Sequence, residues 1–343
     1  MPSIDMDAFE DEWDDDVAVG PRGRPLASPA ARAERGRQRP GRVVAVDRGR
    51  IRVVPDGDGP DAVIDARYGG AMRGRRVVVG DRVRIAPGQR DEPSRVVERL
   101  ERSSWLVRTG DDLDHHERVL VADADAVAVI VGADNLEAGL RFADRVIVAA
   151  TTGGLATVLV INKCDLLADD DALQQLDAAL VPYAGAVVDV LRVSAETGDG
   201  MDELRALLTD RWTVLTGHSG VGKTSLTNTL LPDADLRTGA VGPRGGRHTT
   251  VASLALPLPE GGWLVDTPGV RSFGLGMLDR RGVAAGFPEL AGLDCGLDDC
   301  GHDGEPGCAL PSATLHPVRR AAFERLAAAV EGRESDDPRG SEE

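Results

Sequence analysis

The chain has 343 residues, 42% of them hydrophobic, a formal net charge of −17 and four cysteines. That length suits two or three domains, and no apolar run approaches the ~18 residues of a membrane-spanning helix. The acidic N-terminus has no apolar h-region, so no secretory signal is expected and the cytoplasm is the expected compartment. Four cysteines there read as thiols or metal ligands rather than disulfides.

The charge is uneven. Residues 1–16 carry eight acids and no base, and residues 331–343 carry six acids against Arg333 and Arg339. Stretch 41–90 runs the other way, with eleven Arg against six Asp, so a locally basic module sits in an acidic chain and can still engage a phosphate backbone. Residues 1–40 are polar and rich in Pro, Gly and Ala, which predicts a disordered tail. Its Arg32, Arg35, Arg37 and Arg39 form a basic arm that either touches RNA or neutralises the acidic block.

From Gly41 to about Leu100 the pattern is short and β-like: VVAV at 43–46, IRVV at 51–54, AVI at 62–64, RRVVV at 75–79 and DRVRI at 81–85. Five strands in about sixty residues suit an OB-type barrel, and an SH3-like barrel fits nearly as well. Tyr68 is the sole aromatic of the stretch, so base stacking is not its mode; its Arg residues suit RNA backbone and shape. The alternative is a structural barrel with a solvated basic face.

Residues 101–120 read as a polar connection. An α/β alternation follows: strand Ala126–Val131, helix about Asn135–Ala150, strand Thr157–Ile161, helix Asp170–Leu180, strand Val187–Val193. Such alternation predicts a doubly wound parallel sheet with ligands beyond the strand C-termini. Two polar motifs fall there. Asn162-Lys163-Cys164-Asp165 suits guanine, because the Asp165 carboxylate accepts from N1–H and the exocyclic amine. Adenine would leave that carboxylate facing a lone pair. Asn162 would tie the base to neighbouring loops, and the Lys163 stem would pack along the nucleotide. Ser194-Ala195 ends the next strand, where a backbone N–H meets the guanine carbonyl. Cys164 reads as packing.

Trp212, Val214 and Leu215 predict a short buried strand, and Lys223–Leu231 a helix. Between them lies Gly217-x4-Gly222-Lys223-Thr224, a P-loop in its required strand–loop–helix context. Its backbone N–H groups and the helix N-terminus suit phosphate, Lys223 the outer phosphates, and the Thr224 hydroxyl Mg2+. Gly239–Gly246 and Arg247-His248-Thr249-Thr250 read as a mobile loop ordered on the γ-phosphate and Mg2+ through Thr250, with Thr249 second. Strand Trp263–Asp266 opens DxxG: Asp266 would hold Mg2+ through water, and the Gly269 N–H would meet the γ-phosphate. Val270 stands where a water-positioning Gln often follows, predicting slow intrinsic hydrolysis and an outside activator. His248 is the nearest polar candidate to position the water, an ordinary loop histidine being the alternative.

Cys295, Cys300, His302 and Cys308 offer three thiolates and an imidazole, a donor set for one structural tetrahedral Zn2+. A disulfide with spare groups, or reactive thiols, are the alternatives. Leu315–Val330 predicts an amphipathic helix with Leu315, Val318, Ala322, Leu326 and Val330 on one side, before a disordered acidic tail.

In most GTPases the phosphate loop precedes the guanine motif; here it follows, so the sheet must be circularly permuted. The barrel, GHSGVGKTS, GRHTT, DTPGVRSFGL and DCGHDGEPGCAL together resemble the ribosome small subunit-dependent GTPase A family, over about residues 41–330. The resemblance implies a GTPase acting late in small-subunit maturation, binding ribosomal RNA near the decoding centre and stimulated by that subunit. By motif, it places Gly217, Ser219, Gly220, Val221, Gly222, Lys223, Thr224 and Ser225 on phosphates, Asn162, Lys163 and Asp165 on guanine, and zinc on the Cys/His set. The expected organisation is a tail (1–40), an OB-like barrel (41–102), a permuted GTPase domain (103–282) and a zinc-binding helical domain (283–343), as a monomer. A GTP-sensing RNA-binding scaffold with incidental hydrolysis is the rival reading. The guanine motif disfavours an ATP-dependent kinase, and the lack of further domains disfavours an elongation-type factor.

Overall fold

Short runs of alternating buried and exposed residues build the first layer. A computed structural model describes residues 38–88, 92–108, 118–167, 169–232, 253–267, 275–297 and 299–332. Strands β1 (Arg39–Asp47), β2 (Arg50–Pro55), β3 (Ile64–Tyr68), β4 (Arg82–Ala86) and β5 (Ser94–Arg99) run in the order β1-β2-β3-β5-β4, and β4 returns to β1, closing a barrel of OB type. Arg48 and Gly49 both have positive φ, as a two-residue hairpin loop requires between β1 and β2. Val43, Ile51, Val53, Ala66, Val83 and Val96 fill the interior.

Two expected strands fall elsewhere. The third lies at 64–68 rather than 62–64, and the expected fourth, at 75–79, is not a strand; the run at 81–85 becomes the fourth and Ser94–Arg99 supplies the fifth. The valines at 77–79 serve two cores instead: Val77 enters the barrel, while Val79 packs in the neighbouring core and bridges to Val121. Side-chain oxygens take their backbone donors, since the N–H of Val77 donates to Tyr68 Oη and that of Val78 to Asp81 Oδ2. The expected polar connection holds an antiparallel hairpin, β6 (Trp105–Arg108) and β7 (Arg118–Ala122).

The second layer alternates β8 (Ala126–Gly132), α1 (Leu136–Thr152), β9 (Ala156–Asn162), α2 (Asp170–Leu180), β10 (Asp189–Arg192), α3 (Met201–Leu208), β11 (Trp212–Gly217), α4 (Lys223–Leu230), β12 (Leu254–Pro257) and β13 (Trp263–Asp266). In space the order is β10-β9-β8-β11-β13-β12, parallel except for β12. Strand β8 is buried along its whole length, so it reads as a continuous apolar run. Its Val127, Val129 and Val131 face the core under α1, and Ala128 and Ile130 face the core under α3 and α4. The strand that leads into Gly217 therefore lies mid-sheet, beside a strand more than eighty residues earlier in sequence. That is the topology of a permuted GTPase sheet. Ala45 of β1 pairs with Leu254 of β12, so barrel and sheet are continuous.

Helices α5 (Arg280–Ala285) and α6 (Pro317–Val330) pack on α1, with Phe287 and Phe323 edge to face between them. Ala322 and Leu326 are buried as expected, but Val318 is 48% exposed and Arg319 is 1% exposed. The helix turns a guanidinium inward because Asp144 of α1 and Glu289 meet it, each at 2.7 Å, under the Phe287 ring. Among the described residues, no helix is long and apolar enough to cross a membrane.

Candidate functional site

Strand β9 delivers Asn162 at the C-terminal edge of the sheet, 1% exposed. Its Nδ2 donates to the Val221 carbonyl at 2.9 Å, and its Oδ1 accepts from the Ala195 N–H at 3.2 Å. The pairing admits one amide orientation, since a carbonyl cannot donate and an N–H cannot accept. One side chain thus joins three of the loops that the sequence singled out. Gly222 is glycine for the same reason: its φ is +93°, and a Cβ there would lie 2.3 Å from Asn162 Nδ2.

Asp165 sits in a 3-10 turn just after Lys163, whose φ of +66° turns the chain sharply off the strand. Ser194, fully buried, donates from Oγ to Asp165 Oδ1 at 2.5 Å and accepts from the N–H groups of Glu196 and Thr197. The carboxylate is therefore aimed before any ligand arrives. The Lys163 ammonium meets Asp134 Oδ2 at 2.7 Å. Cys164 packs half-buried, its Sγ donating to the Ile161 carbonyl, and burial raises its thiol pKa. Packing is all the structure gives it.

The Gly217–Thr224 loop leaves the neighbouring strand β11 and enters α4. Gly217 has φ +155°, and a Cβ there would lie 2.5 Å from the Ile130 carbonyl, so the backbone hugs β8. Lys223 Nζ folds back onto its own loop, donating to the carbonyls of Gly217 and His218. Thr224 and Ser225 are exposed at the start of α4. Asp266 ends β13 in register with Leu215 of β11, and Thr267 Oγ1 donates to the Leu215 carbonyl at 3.0 Å. Burial raises the Asp266 pKa and lowers that of Lys223, and each charge pulls the other back. His248, Thr249, Thr250, Gly269 and Val270 lie outside the described residues, as do the 1–37 arm and the tail from 333.

Two residues near this edge make contacts that no motif specifies. Asp134 follows β8 and holds Lys163. His218 packs its ring on Phe142 of α1, centroids 4.4 Å apart. Both partnerships span α1 or its entry loop, and no local spacing announces them.

Cys295, Cys300, His302 and Cys308 offer donor atoms all within 4.8 Å of one another. The Sγ atoms stand 3.6, 3.7 and 4.0 Å from His302 Nδ1. A tetrahedron with arms of about 2.3 Å to sulfur and 2.0 Å to nitrogen has S–N edges near 3.5 Å, so the set fits zinc through Nδ1. Backbone N–H groups of His302, Ala309 and Leu310 point at sulfur, as thiolates favour. Arg280 ties the loop to the helices, donating to the carbonyls of Gly301 and His302 and to Glu324.

Residues 99–276 match the family model of the RsgA GTPase. The small ribosomal subunit biogenesis GTPase RsgA of Gemmatimonas aurantiaca is 38% identical over 286 residues, 78% of this chain and 92% of that protein. Its namesake from Azotobacter vinelandii is 39% identical over 262 residues, 74% of this chain and 75% of that one. Among solved structures, YjeQ from Thermotoga maritima superposes with a TM-score of 0.70 at 27% identity, covering 87% of this chain and all of that one. YloQ, described as a circularly permuted GTPase, gives 0.66 at 22% identity, over 87% of this chain and 96% of that one, a likeness of fold.

Proposed function

The chain belongs to the RsgA GTPase family, a family of GTP hydrolases, and from that premise we propose that it hydrolyses GTP to time its release from a maturing small ribosomal subunit. Its relatives are named small ribosomal subunit biogenesis GTPases, which points to that subunit. The observation that carries the nucleotide reading is the Asn162 amide, which bonds the guanine motif to the Val221 carbonyl of the phosphate loop and the Ala195 N–H of the third loop.

In this reading Asp165, held by Ser194, selects guanine, and the N–H groups of Gly217–Ser225 cradle the phosphates. Lys223, whose ammonium has three donors, stays on its carbonyls and reaches the outer phosphates. Mg2+, held by Thr224 and through water by Asp266, would neutralise charge developing on the γ-phosphate. Thr250 and the Gly269 N–H complete the γ-phosphate contacts, and His248 positions the attacking water. The Cys/His set holds one structural zinc, and the arginines of the barrel contact ribosomal RNA. We further propose that the protein works as a cytoplasmic monomer, with working divisions at 41–102, 103–282 and 283–343.

Turnover measured with and without purified small subunits tests the proposal. It predicts slow GTP hydrolysis alone, because Val270 cannot orient water, and a rise of about 10³-fold or more on the subunit. Equal turnover in both conditions would leave a GTP-sensing scaffold instead.

A further inference from the structure

The phosphate loop is mounted at two ends by different means. Its second half is fixed by Asn162, through the Val221 carbonyl and the tight approach to Gly222, and by the burial of the Val221 side chain. In its first half the Lys223 ammonium bonds the Gly217 and His218 carbonyls, and the His218 ring packs on Phe142. The two rings are tilted by 49°. Among the described residues, the buried His218 Nε2 makes no hydrogen bond, and burial with the Lys223 charge beside it lowers the imidazole pKa.

What the ring holds matters because of the atoms behind it. The carbonyls of Gly217 and His218 are the two acceptors of the Lys223 ammonium. A tilt of residue 218 moves both, and with them the position of the lysine. Phe142 is a firm seat: it is fully buried, and two residues on, Asp144 clamps α1 to Arg319 and Arg325 of α6 at 2.7 and 3.0 Å.

We propose that His218, seated on Phe142, is a positioning residue for GTP hydrolysis, fixing Lys223 through the carbonyls of the phosphate loop. The contact with nucleotide is made by Lys223; His218 acts only through it. Base recognition rests on Asp165 and Ser194, and the second half of the loop on Asn162, so the His218 mount governs the first half of the loop alone. The inference rests on the reading of Gly217–Ser225 as a phosphate loop.

The test compares the full-length wild type with Phe142→Leu, His218→Phe and the double variant. Single-turnover GTP hydrolysis, GDP affinity by calorimetry and the melting temperature are read for each. Phe142→Leu keeps an apolar side chain but removes the ring face, and it should slow hydrolysis about tenfold, as small misplacements of catalytic groups do. GDP affinity should stay within about twofold, because the base contacts and the second half of the loop, mounted on Asn162, are untouched. His218→Phe keeps a ring on Phe142 and should hydrolyse within about threefold of wild type; the double variant should be no slower than Phe142→Leu, the mark of a shared contact. Hydrolysis by Phe142→Leu within about twofold of wild type, or rate losses that multiply in the double variant, would overturn the proposal. So would a parallel loss of GDP affinity with a lowered melting temperature, which would mean general loosening. A wild type that binds no guanine nucleotide would sink the phosphate-loop reading itself, a result separate from these.

Discussion

At the scale of single residues, Asn162 concentrates more of the proposed site than any other side chain. It is buried, both ends of its amide are used, and its partners lie 59 and 33 residues away in sequence. Replacement by Ala leaves the Val221 carbonyl and the Ala195 N–H without their partner and opens space behind Gly222. Unmade hydrogen bonds of buried groups cost about 1–3 kcal/mol. Asn162→Ala should therefore weaken GTP and GDP alike by roughly ten- to a hundredfold in calorimetry. A variant that loses GTP affinity but keeps GDP would show that Asn162 acts at the γ-phosphate, not as the joint between loops. Asp134 is a lesser case: its ion pair with Lys163 is largely exposed, so it orients more than it stabilises.

At the scale of elements, α1 is the piece on which the others lean. One side packs Val146 and Ala150 under the sheet with Phe142 reaching His218; another presents Asp144 to α6. Burial pushes the Asp144 carboxyl up, and Arg319 and Arg325 pull against it; burial opposes the Arg319 charge, and Glu289 with Asp144 more than restores it. Removing one partner of such a pair leaves charge poorly compensated in the interior, at about 3–5 kcal/mol. Asp144→Asn should lower unfolding free energy by about 3 kcal/mol in denaturant titration, near the low end because Glu289 remains. A loss under about 1 kcal/mol would show that the clamp contributes little beyond shape.

That network also marks where the sequence stopped being informative. Helix α2 was legible to the residue, because Asp169 caps it and apolar spacing runs through it. NKCD, Ser-Ala and the phosphate loop were legible because short spacings fix where a strand end delivers them. Arg319 was not. Helical periodicity favours Val318, and the fact that overrides it, Asp144, lies 175 residues away. The valines at 77–79 misled for a similar reason, since a run shared between two cores looks like one strand. The hairpin β6–β7 was hidden by its charged ends.

At the scale of the whole molecule, barrel and sheet are joined rather than strung together. Besides the β1–β12 pairing, Arg42 of β1 lies 3.6 Å over the Trp212 ring, which stacks on Trp263, and it donates to the carbonyls of Gly80 and Asp123. Burial there takes the Arg42 pKa down to about 10, still charged at neutral pH. Trp212 and Trp263 begin the two strands that end at the phosphate loop and at Asp266. The barrel is thus bonded to β12, the strand that enters the sheet beside β13, and not merely tethered by a linker.

In the proposed site, the first half of the second layer chooses the base and the second half grips the phosphates. Competition calorimetry with GTP and XTP on wild type and Asp165→Asn addresses it directly. The amide would offer a donor where xanthine carries a carbonyl oxygen and guanine an amine. Wild type should prefer GTP, and Asp165→Asn should invert the order, with XTP tighter by about tenfold or more. An Asp165→Asn protein that keeps full preference for GTP would contradict it.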